Sequence, residues 1–339
     1  MNTLFQNALK NKNTQTPPIW FMRQAGRYHQ HYQKLKEKYT FMQLCKQPEL
    51  AAEVTLGPIL DFDFDVAIIF SDLLFPLEAM GLGLNYENGG PELKIHLNDE
   101  NVLKVRTDGY LEKLNFQKLA LQACREILPK SKSLIGFVGG MWTLYLYATE
   151  GSHAGHFLTS KNNLPLFEKF WEILKPVLID NIQLQLDGGA EVVMIFDTAA
   201  GEVTPIYFQN FIAPKLNELA KKFPQKLVYY SKGTHPGYLD ADFRTSGWAG
   251  FGFDQRNDLA SILTDRSLNG IIQGNFDQTL LFGDTDSLKK HFDLYIRKFK
   301  ELPPEARMRW VCGLGHGVLP KTPEKHVKLF VEWVRNEFS

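Results

Sequence analysis

The stretch Val66-Ala67-Ile68-Ile69-Phe70-Ser71-Asp72 contains five apolar residues in succession and then a serine and an aspartate. An apolar run of this length, rich in β-branched side chains, predicts a strand that is buried on both faces. Such strands are typical of parallel sheets whose faces are covered by helices. The stretch therefore indicates an α/β protein, with Asp72 at the carboxyl end of one strand.

The same pattern recurs in both directions along the chain, where apolar runs alternate with segments of helical spacing. The eight predicted strands are Pro18–Met22, Val66–Phe70, Leu134–Val138, Val192–Phe196, Leu227–Tyr230, Ala249–Phe253, Gly270–Ile272 and Trp310–Cys312. The clearest predicted helices are Tyr110–Ile127, Leu164–Leu186, Ile206–Lys222, Ser287–Phe299 and Pro323–Phe338, the last with Thr322 as N-cap. Eight alternating strands favour a closed barrel over an open sheet. The prediction is an α/β fold, a single (β/α)8 TIM barrel over residues 18–339, preceded by a flexible segment over residues 1–17.

Composition excludes several classes of protein. The chain has 339 residues, of which 44% are hydrophobic and 22% charged, so collagen-like, mucin-like and wholly disordered proteins are excluded. Lys and Arg together number 38, as do Asp and Glu, and the zero formal charge argues against a nucleic-acid partner. The cysteines Cys45, Cys124 and Cys312 form no Cys-x-x-Cys pair, which argues against a disulfide scaffold or a zinc ribbon.

The pattern of apolar residues also bears on location. The first 18 residues lack the apolar core of a signal peptide. The longest nearly apolar stretch, Leu134–Ala148, falls short of the roughly 20 residues that span a bilayer. We therefore expect a cytoplasmic protein that works without a membrane.

Polar side chains follow the predicted strands, and in a barrel these strand ends meet at one mouth, where active sites lie. An arginine pair follows the first strand, Asp72 the second, Thr198 the fourth and His316 the eighth. Turns need polar residues in any case, which explains some of them. It explains less well why two arginines, an aspartate in an apolar setting and a histidine between glycines reach the same rim.

Arg23 and Arg27 lie four residues apart on either side of Ala25-Gly26. Arginine binds carboxylate and phosphate groups with two parallel hydrogen bonds, so the pair indicates an anion site. The alternative is two surface arginines that pair with acidic neighbours.

Asp72 and His316 each allow two interpretations. A carboxylate in so apolar a setting needs a cationic or N–H-bearing partner, but Asp72 could equally be the N-cap of the next helix. The glycines around His316 allow a ligand to approach closely, but a histidine that satisfies a loop carbonyl fits the sequence about as well. His153 and His156 are spaced like a metal pair, yet no third ligand stands near them, and we expect no metal site there. There is no P-loop and no Gly-x-Ser-x-Gly motif.

Several motifs resemble those of one known family. The segment Pro18–Tyr28, with its two arginines, is similar to the N-terminal motif of the uroporphyrinogen decarboxylase family. Further matches in family order are Ile68–Asp72, Gly136–Gly139 with Trp142-Thr143-Leu144, Gln273-Gly274-Asn275, and Leu314–Gly317 with Pro320 and His326-Val327. The chain departs from the family at Gly313, Phe276 and Gln255, which affects loops. The resemblance therefore covers nearly the whole chain.

The resemblance implies a (β/α)8 barrel that forms a homodimer and needs neither cofactor nor metal. It implies an enzyme that removes the carboxyl groups of four acetate side chains of uroporphyrinogen III, giving coproporphyrinogen III. The family motifs place substrate-binding roles on Arg23, Gln24, Arg27, Asp72, Tyr147, Thr198 and His316, and catalytic roles on Asp72, Arg27 and Arg23.

The chemistry fits these residue types. Eight carboxylates require cationic partners. Loss of carbon dioxide needs an electron sink, and a pyrrole protonated on a ring carbon supplies one, whose positive charge a carboxylate can stabilise. Two alternatives remain. Corrinoid-linked methyltransferases share the fold but carry a His-x-Cys zinc motif that is absent here, and an inactive porphyrin-binding protein has no need of Arg23, Arg27 and Asp72 together.

Overall fold

The computed structural model describes residues 1–86, 90–152 and 155–338. The strands are β1 (Val66–Ile68), β2 (Leu84–Asn85), β3 (Glu92–Leu93), β4 (Ser133–Gly139), β5 (Val193–Asp197), β6 (Leu227–Ser231), β7 (Gly250–Phe253), β8 (Ile271–Phe276) and β9 (Trp310–Leu314). The helices are α1 (Thr3–Leu9), α2 (Gln30–Lys36), α3 (Phe41–Lys46), α4 (Pro48–Phe62), α5 (Phe75–Ala79), α6 (Tyr110–Ile127), α7 (Met141–Glu150), α8 (Leu158–Asn162), α9 (Leu164–Asp187), α10 (Pro205–Tyr207), α11 (Ala213–Lys222), α12 (Ala241–Thr245), α13 (Leu259–Thr264), α14 (Thr285–Lys300), α15 (Pro304–Arg307) and α16 (Glu324–Glu337).

The predicted α/β fold is confirmed. In the described part of the chain, seven strands form one parallel sheet in the order β1-β4-β5-β6-β7-β8-β9. Each of the seven coincides with a run predicted from the sequence. Two-residue strands β2 and β3 form a separate antiparallel pair that the apolar pattern does not reveal, because so short a ladder has no periodicity.

The eighth predicted strand, Pro18–Met22, is not one of the sheet strands. It makes one parallel bridge, between Ile19 and Cys312 of β9. On its other side, the Ile19 carbonyl accepts from the backbone N–H of Asp65 at 2.9 Å, next to β1. The segment therefore lies between the two edge strands of the sheet.

The sheet is curled around a small apolar cluster. The two edge strands contribute side chains to one cluster, in which Val66 and Ile68 of β1 and Val311 of β9 pack with residues of the strands between them. The larger apolar core lies on the other side, where helices such as α4, α6 and α9 cover the strands. Because all seven strands run parallel, their carboxyl ends meet at one rim.

Residues 1–17, for which the sequence suggests a flexible segment, contain a packed helix. Phe5 and Ala8 of α1 belong to the inner cluster and are 1% and 0% exposed. Asn2 donates its backbone N–H to Ser133 Oγ at 3.0 Å and its side-chain amide to Asp65 Oδ1 at 3.1 Å. Helix α1 thus covers the amino ends of the strands, opposite the rim.

The predicted N-cap of the last helix is wrong. The last helix begins at Glu324, and Pro323 is its N-cap in an extended conformation, without a side-chain cap. Thr322, predicted as the cap, lies one residue further out, and its hydroxyl has no hydrogen-bond partner.

Candidate active site

A cavity of about 770 Å³ opens at the carboxyl ends of the strands. Six predicted site residues line it together: Arg23, Arg27, Asp72, Tyr147, Thr198 and His316. Its walls are largely apolar, and the residues that form them include Met22, Ile68, Ile69, Phe70, Leu74, Phe137, Phe196 and Val318. A cavity with apolar walls and a few convergent polar groups is typical of a site for a bulky organic ligand.

Gln24 is the predicted site residue that does not line the cavity. Its side chain is 1% exposed and faces the protein. The amide oxygen accepts from Phe21 N–H at 3.1 Å, and the amide nitrogen donates to the Val66 carbonyl at 3.1 Å. Gln24 therefore ties the arginine loop to β1, and an interpretation from the motif alone could not separate this role from ligand contact.

Arg23 is held by the backbone and by a neighbouring glycine. Its φ of 59° lies in the left-handed region, which costs a residue with a side chain about 1–2 kcal/mol. The methylene groups of the side chain lie against Gly317, where an added Cβ would approach Arg23 Cδ to 2.5 Å. Gly317 therefore leaves the space that the Arg23 side chain occupies, although the two residues lie at opposite ends of the chain.

The two guanidinium groups face open space. Arg23 and Arg27 are both exposed, and neither forms a salt bridge with a carboxylate of the described residues. The alternative of two arginines neutralised by acidic neighbours is therefore not what these residues form. Both charges are available to an anionic ligand in the cavity.

Asp72 is enclosed by protein and meets solvent only in part. Burial raises the pKa of its carboxyl above the ordinary 3.8, while the Leu74 N–H at 2.8 Å, the Tyr86 hydroxyl and the positive charge of Arg23 each lower it. Helix α5 has Leu74 as its N-cap, so Asp72 is not the capping residue. The carboxylate keeps acceptor capacity for N–H groups or a cation in the cavity.

Tyr147 reaches the cavity from helix α7, and Asp197 fixes the start of that helix. The buried Asp197 carboxylate accepts from the Thr143 N–H at 3.0 Å and the Thr143 hydroxyl at 2.6 Å. Gly140 is needed beside it, because a Cβ there would lie 2.4 Å from Asp197 Cβ. Burial and the Asp72 charge raise the pKa of Tyr147 to about 12, so its hydroxyl remains a donor at neutral pH.

His316 is half-buried and lies against Tyr230 of β6. The Tyr230 hydroxyl is 3.1 Å from His316 Nδ1 and 2.7 Å from the Gly315 carbonyl oxygen. The two rings are parallel to within 7°. The histidine therefore both lines the cavity and has a defined orientation.

Three residues that the motifs did not single out belong to this site. Lys36, at the end of α2, adds a third cation to the cavity lining, and Tyr86, the residue after β2, faces Asp72. Tyr230 lies behind His316. Lys36 and Tyr86 do not follow a predicted strand, and Tyr230 is the last residue of the predicted strand Leu227–Tyr230, where a buried aromatic side chain indicates core packing.

Other sequence features can also be placed. Cys45, Cys124 and Cys312 are free and buried. His153 of the predicted His153–His156 pair lies outside the described residues. Across the described ranges, no helix is long and apolar enough to cross a bilayer, and no three His, Cys, Asp or Glu side chains are grouped as metal ligands.

Residues 1–337 match the family model described as uroporphyrinogen decarboxylase. The chain is 31% identical to the uroporphyrinogen decarboxylase of Solibacter usitatus, over 99% of this chain and 97% of the relative. It is 32% identical to that of Koribacter versatilis, over 100% and 97%. Among solved structures, a methyltransferase from Methanosarcina mazei is similar over 100% of this chain and 99% of its own, with a TM-score of 0.80 and 20% sequence identity, which concerns the fold alone.

Proposed function

The chain belongs to the uroporphyrinogen decarboxylase family, and we propose that it removes the four acetate carboxyl groups of uroporphyrinogen III to give coproporphyrinogen III. It is a carboxy-lyase of porphyrin biosynthesis. The observation that carries the proposal is the convergence of Arg23, Arg27, Asp72, Tyr147, Thr198 and His316 on one cavity.

The cationic side chains bind the substrate carboxylates. Arg23 and Arg27 lie free of protein carboxylates among the described residues, so each can form charge-assisted hydrogen bonds with an acetate or propionate group. Lys36 supplies a further positive charge in the same lining. The Tyr147 and Thr198 hydroxyls and His316 provide polar contacts at other points of the wall. The apolar walls accommodate the pyrrole rings.

Asp72 stabilises the cation that forms during the reaction. A proton added to a pyrrole ring carbon produces an iminium ion. In the bound substrate, the Asp72 carboxylate accepts hydrogen bonds from the pyrrole N–H groups, and its charge then opposes the positive charge of the protonated ring. Because the carboxylate is already in place and poorly solvated, it requires little reorganisation when the cation forms.

The atoms and electrons then balance without an added electron sink. When carbon dioxide leaves, the electron pair of the broken carbon–carbon bond forms an exocyclic double bond and neutralises the iminium ion. A proton adds to the methylene carbon, giving a methyl group and a second ring cation, and the ring carbon releases its proton to restore the pyrrole. The net change at each arm is one proton taken up and one carbon dioxide released. We place the proton donor beside the arginines, where a water or a substrate carboxyl group can be held.

Three further statements are part of the proposal. Pro18–Met22 is the strand that closes the sheet into a (β/α)8 barrel over residues 18–339, supported by its contacts with β9 and with Asp65 beside β1. The enzyme acts as a homodimer in the cytoplasm, as expected from its family. Sedimentation at micromolar concentration tests the dimer, and a species near the chain mass of 38.8 kDa contradicts it.

The test of the activity is direct. The purified protein is incubated with uroporphyrinogen III under anaerobic, reducing conditions, and the products are oxidised and separated by chromatography. We expect porphyrins with seven, six, five and finally four carboxyl groups. Unchanged eight-carboxyl porphyrin, with protein that remains folded by circular dichroism, rejects the proposal.

A further inference from the structure

The hydroxyl of Tyr230 determines which nitrogen of His316 carries a proton. The Tyr230 oxygen lies 2.7 Å from the Gly315 carbonyl oxygen, and a carbonyl cannot donate. Two oxygen atoms at that distance repel unless a hydrogen lies between them, so the single hydroxyl hydrogen must point to Gly315. The 3.1 Å contact between the Tyr230 oxygen and His316 Nδ1 is then a hydrogen bond only if Nδ1 is the donor.

The neutral imidazole has one N–H group. If that group is at Nδ1, Nε2 of the neutral ring carries a lone pair and can only accept. Nε2 becomes a donor when the ring takes up a proton and is positively charged. A substrate carboxylate, which only accepts, can therefore hydrogen-bond with Nε2 only when His316 is an imidazolium ion.

We propose that Tyr230 is a positioning residue that holds His316 in the Nδ1–H tautomer and thereby couples the binding of a substrate carboxylate at His316 to the uptake of a proton. The kinetic part of this inference rests on the proposed function, whereas the tautomer does not. Tyr230 is 0% exposed and lies beneath the histidine, so it acts through His316.

Charged groups from neighbouring elements also act on this corner of the cavity. Arg23 packs on Gly317, and although burial raises the pKa of the Tyr230 hydroxyl, the positive charge of Arg23 lowers it. Asp254, after β7, bears a negative charge but is paired with Arg256. The contact with Tyr230 requires a proton at His316 Nδ1 whatever the charges nearby.

The first test is the tautomer itself, measured by nitrogen NMR on protein labelled with 15N-histidine at a pH where the ring is neutral. The signal missing from His316→Gln identifies His316. We expect the wild-type proton at Nδ1, and in Tyr230→Phe a shift toward the Nε2–H form. Tyr229→Phe is the matched control, because its hydroxyl faces Asp197 at 3.3 Å rather than His316. It should leave the tautomer unchanged.

A wild-type ring protonated at Nε2 overturns the inference, and this measurement does not depend on whether any variant folds. An unchanged tautomer in folded Tyr230→Phe overturns it as well. Both outcomes are independent of enzymatic activity, so they are distinguishable from a failure of the proposed decarboxylase reaction.

The second test is the pH profile of KM. Above the pH at which His316 loses its proton, wild-type KM should rise by up to about tenfold per pH unit, because binding must then recover a proton. In Tyr230→Phe the neutral ring can present Nε2–H to the carboxylate, so KM should rise less steeply while kcat changes little. Equal slopes of KM in the two proteins, with the Nδ1–H tautomer lost in the variant, show that Tyr230 does not control binding at His316.

Discussion

Asp72 and Asp197 each follow an apolar run that leads to the same rim, yet they have different surroundings. Asp197 accepts from the Thr143 N–H and hydroxyl and from the Tyr229 hydroxyl, and it is 0% exposed. Asp72 accepts from the Leu74 N–H, faces the Tyr86 hydroxyl and borders the cavity. Protein donors therefore occupy the Asp197 carboxylate, which fixes the start of helix α7, whereas the Asp72 carboxylate can still accept hydrogen bonds from a ligand.

The difference teaches that an aspartate after a buried strand is not by itself a catalytic signal. Both residues have the same position in the sequence pattern and a raised pKa because of burial. What separates them is the number of protein donors that already point at each carboxylate. The first prediction tests that contrast most strongly.

Asp72→Asn should lower kcat by about two to four orders of magnitude while the fold is kept. Asparagine preserves the size of the side chain and can still accept from the Leu74 N–H, but it lacks the charge that opposes the ring cation. Loss of one partner of a buried charge pair costs about 3–5 kcal/mol, which corresponds to this range. Steady-state kinetics with circular dichroism measures it.

The matched variant is Asp197→Asn, whose amide oxygen can still accept from Thr143. Because Asp197 does not border the cavity, kcat should fall far less than in Asp72→Asn. Equal losses in the two variants mean that the contrast between the carboxylates does not exist, and near-normal turnover in Asp72→Asn rejects its electrostatic role.

Arg23→Ala and Arg27→Ala should each lower kcat/KM by about ten- to a hundredfold or more. A charge-assisted hydrogen bond contributes about 1.5–3 kcal/mol. Among the described residues neither arginine forms a salt bridge with a protein carboxylate, so each guanidinium is available to bind a substrate carboxylate. Arg297→Ala, in the exposed last turn of α14, serves as the control for removing one arginine. Wild-type rates in both cavity variants remove the anion site.

Gly317→Ala should lower kcat/KM by about two- to tenfold. The new Cβ would lie 2.5 Å from Arg23 Cδ, so the arginine must leave its side-chain conformation, at about 0.5–1.5 kcal/mol. Gly283→Ala is the control, because its Cβ meets atoms only at 3.5 Å, an ordinary contact. If Gly317→Ala has the same kcat/KM as Gly283→Ala, the packing of Arg23 against Gly317 does not affect activity.

The sequence predicted the sheet strands because each contains an apolar run, although their ends differ from the structure. The largest difference is in β8, which continues through Gln273-Gly274-Asn275, where the apolar pattern has ended. It could not predict the β2–β3 pair, because two-residue strands are too short to show a period. It could not predict the packing of α1 either, because the polar residues 11–15 make the whole N-terminal segment resemble a solvent-exposed one although it contains Phe5 and Ala8. The cavity brings together residues that the motifs named, since strand ends converge by topology. Gln24 shows the limit of that logic, because adjacent residues of one motif can face the cavity or the core.

Residues that act behind the cavity needed the structure. The role of Tyr230 depends on one hydroxyl distance to Gly315 and another to His316, and these residues are 85 and 86 positions away in the chain. The role of Asp197 depends on Thr143, from a different strand–helix unit. No local pattern in the sequence contains such contacts.

The last prediction concerns the stability of the fold, on which we expect Asp197 to have a smaller effect than Asp72 has on the catalytic rate. Burial raises the pKa of Asp197 from 3.8 to about 6, although Thr143 and Tyr229 lower it. Between pH 4 and pH 6 the folded protein therefore binds this proton more tightly than the unfolded chain does. The contribution of Asp197 to the free energy of unfolding must then decrease as pH rises through this window and stay low above it.

Asp197→Asn has no proton to titrate, so the difference in unfolding free energy, wild type minus variant, isolates the effect. We expect this difference to fall by about 1–3 kcal/mol between pH 4 and pH 7, measured by urea unfolding at each pH. Asp99→Asn is a control of opposite sign, because hydrogen bonds from Asn163 and Lys169 lower the pKa of Asp99. Its difference should rise slightly with pH, since a depressed pKa gives stability that is lost on acidification. A difference for Asp197 that is flat or rises with pH means that the Thr143 and Tyr229 donors outweigh burial, and that this carboxylate is charged in the folded protein as readily as in the unfolded chain.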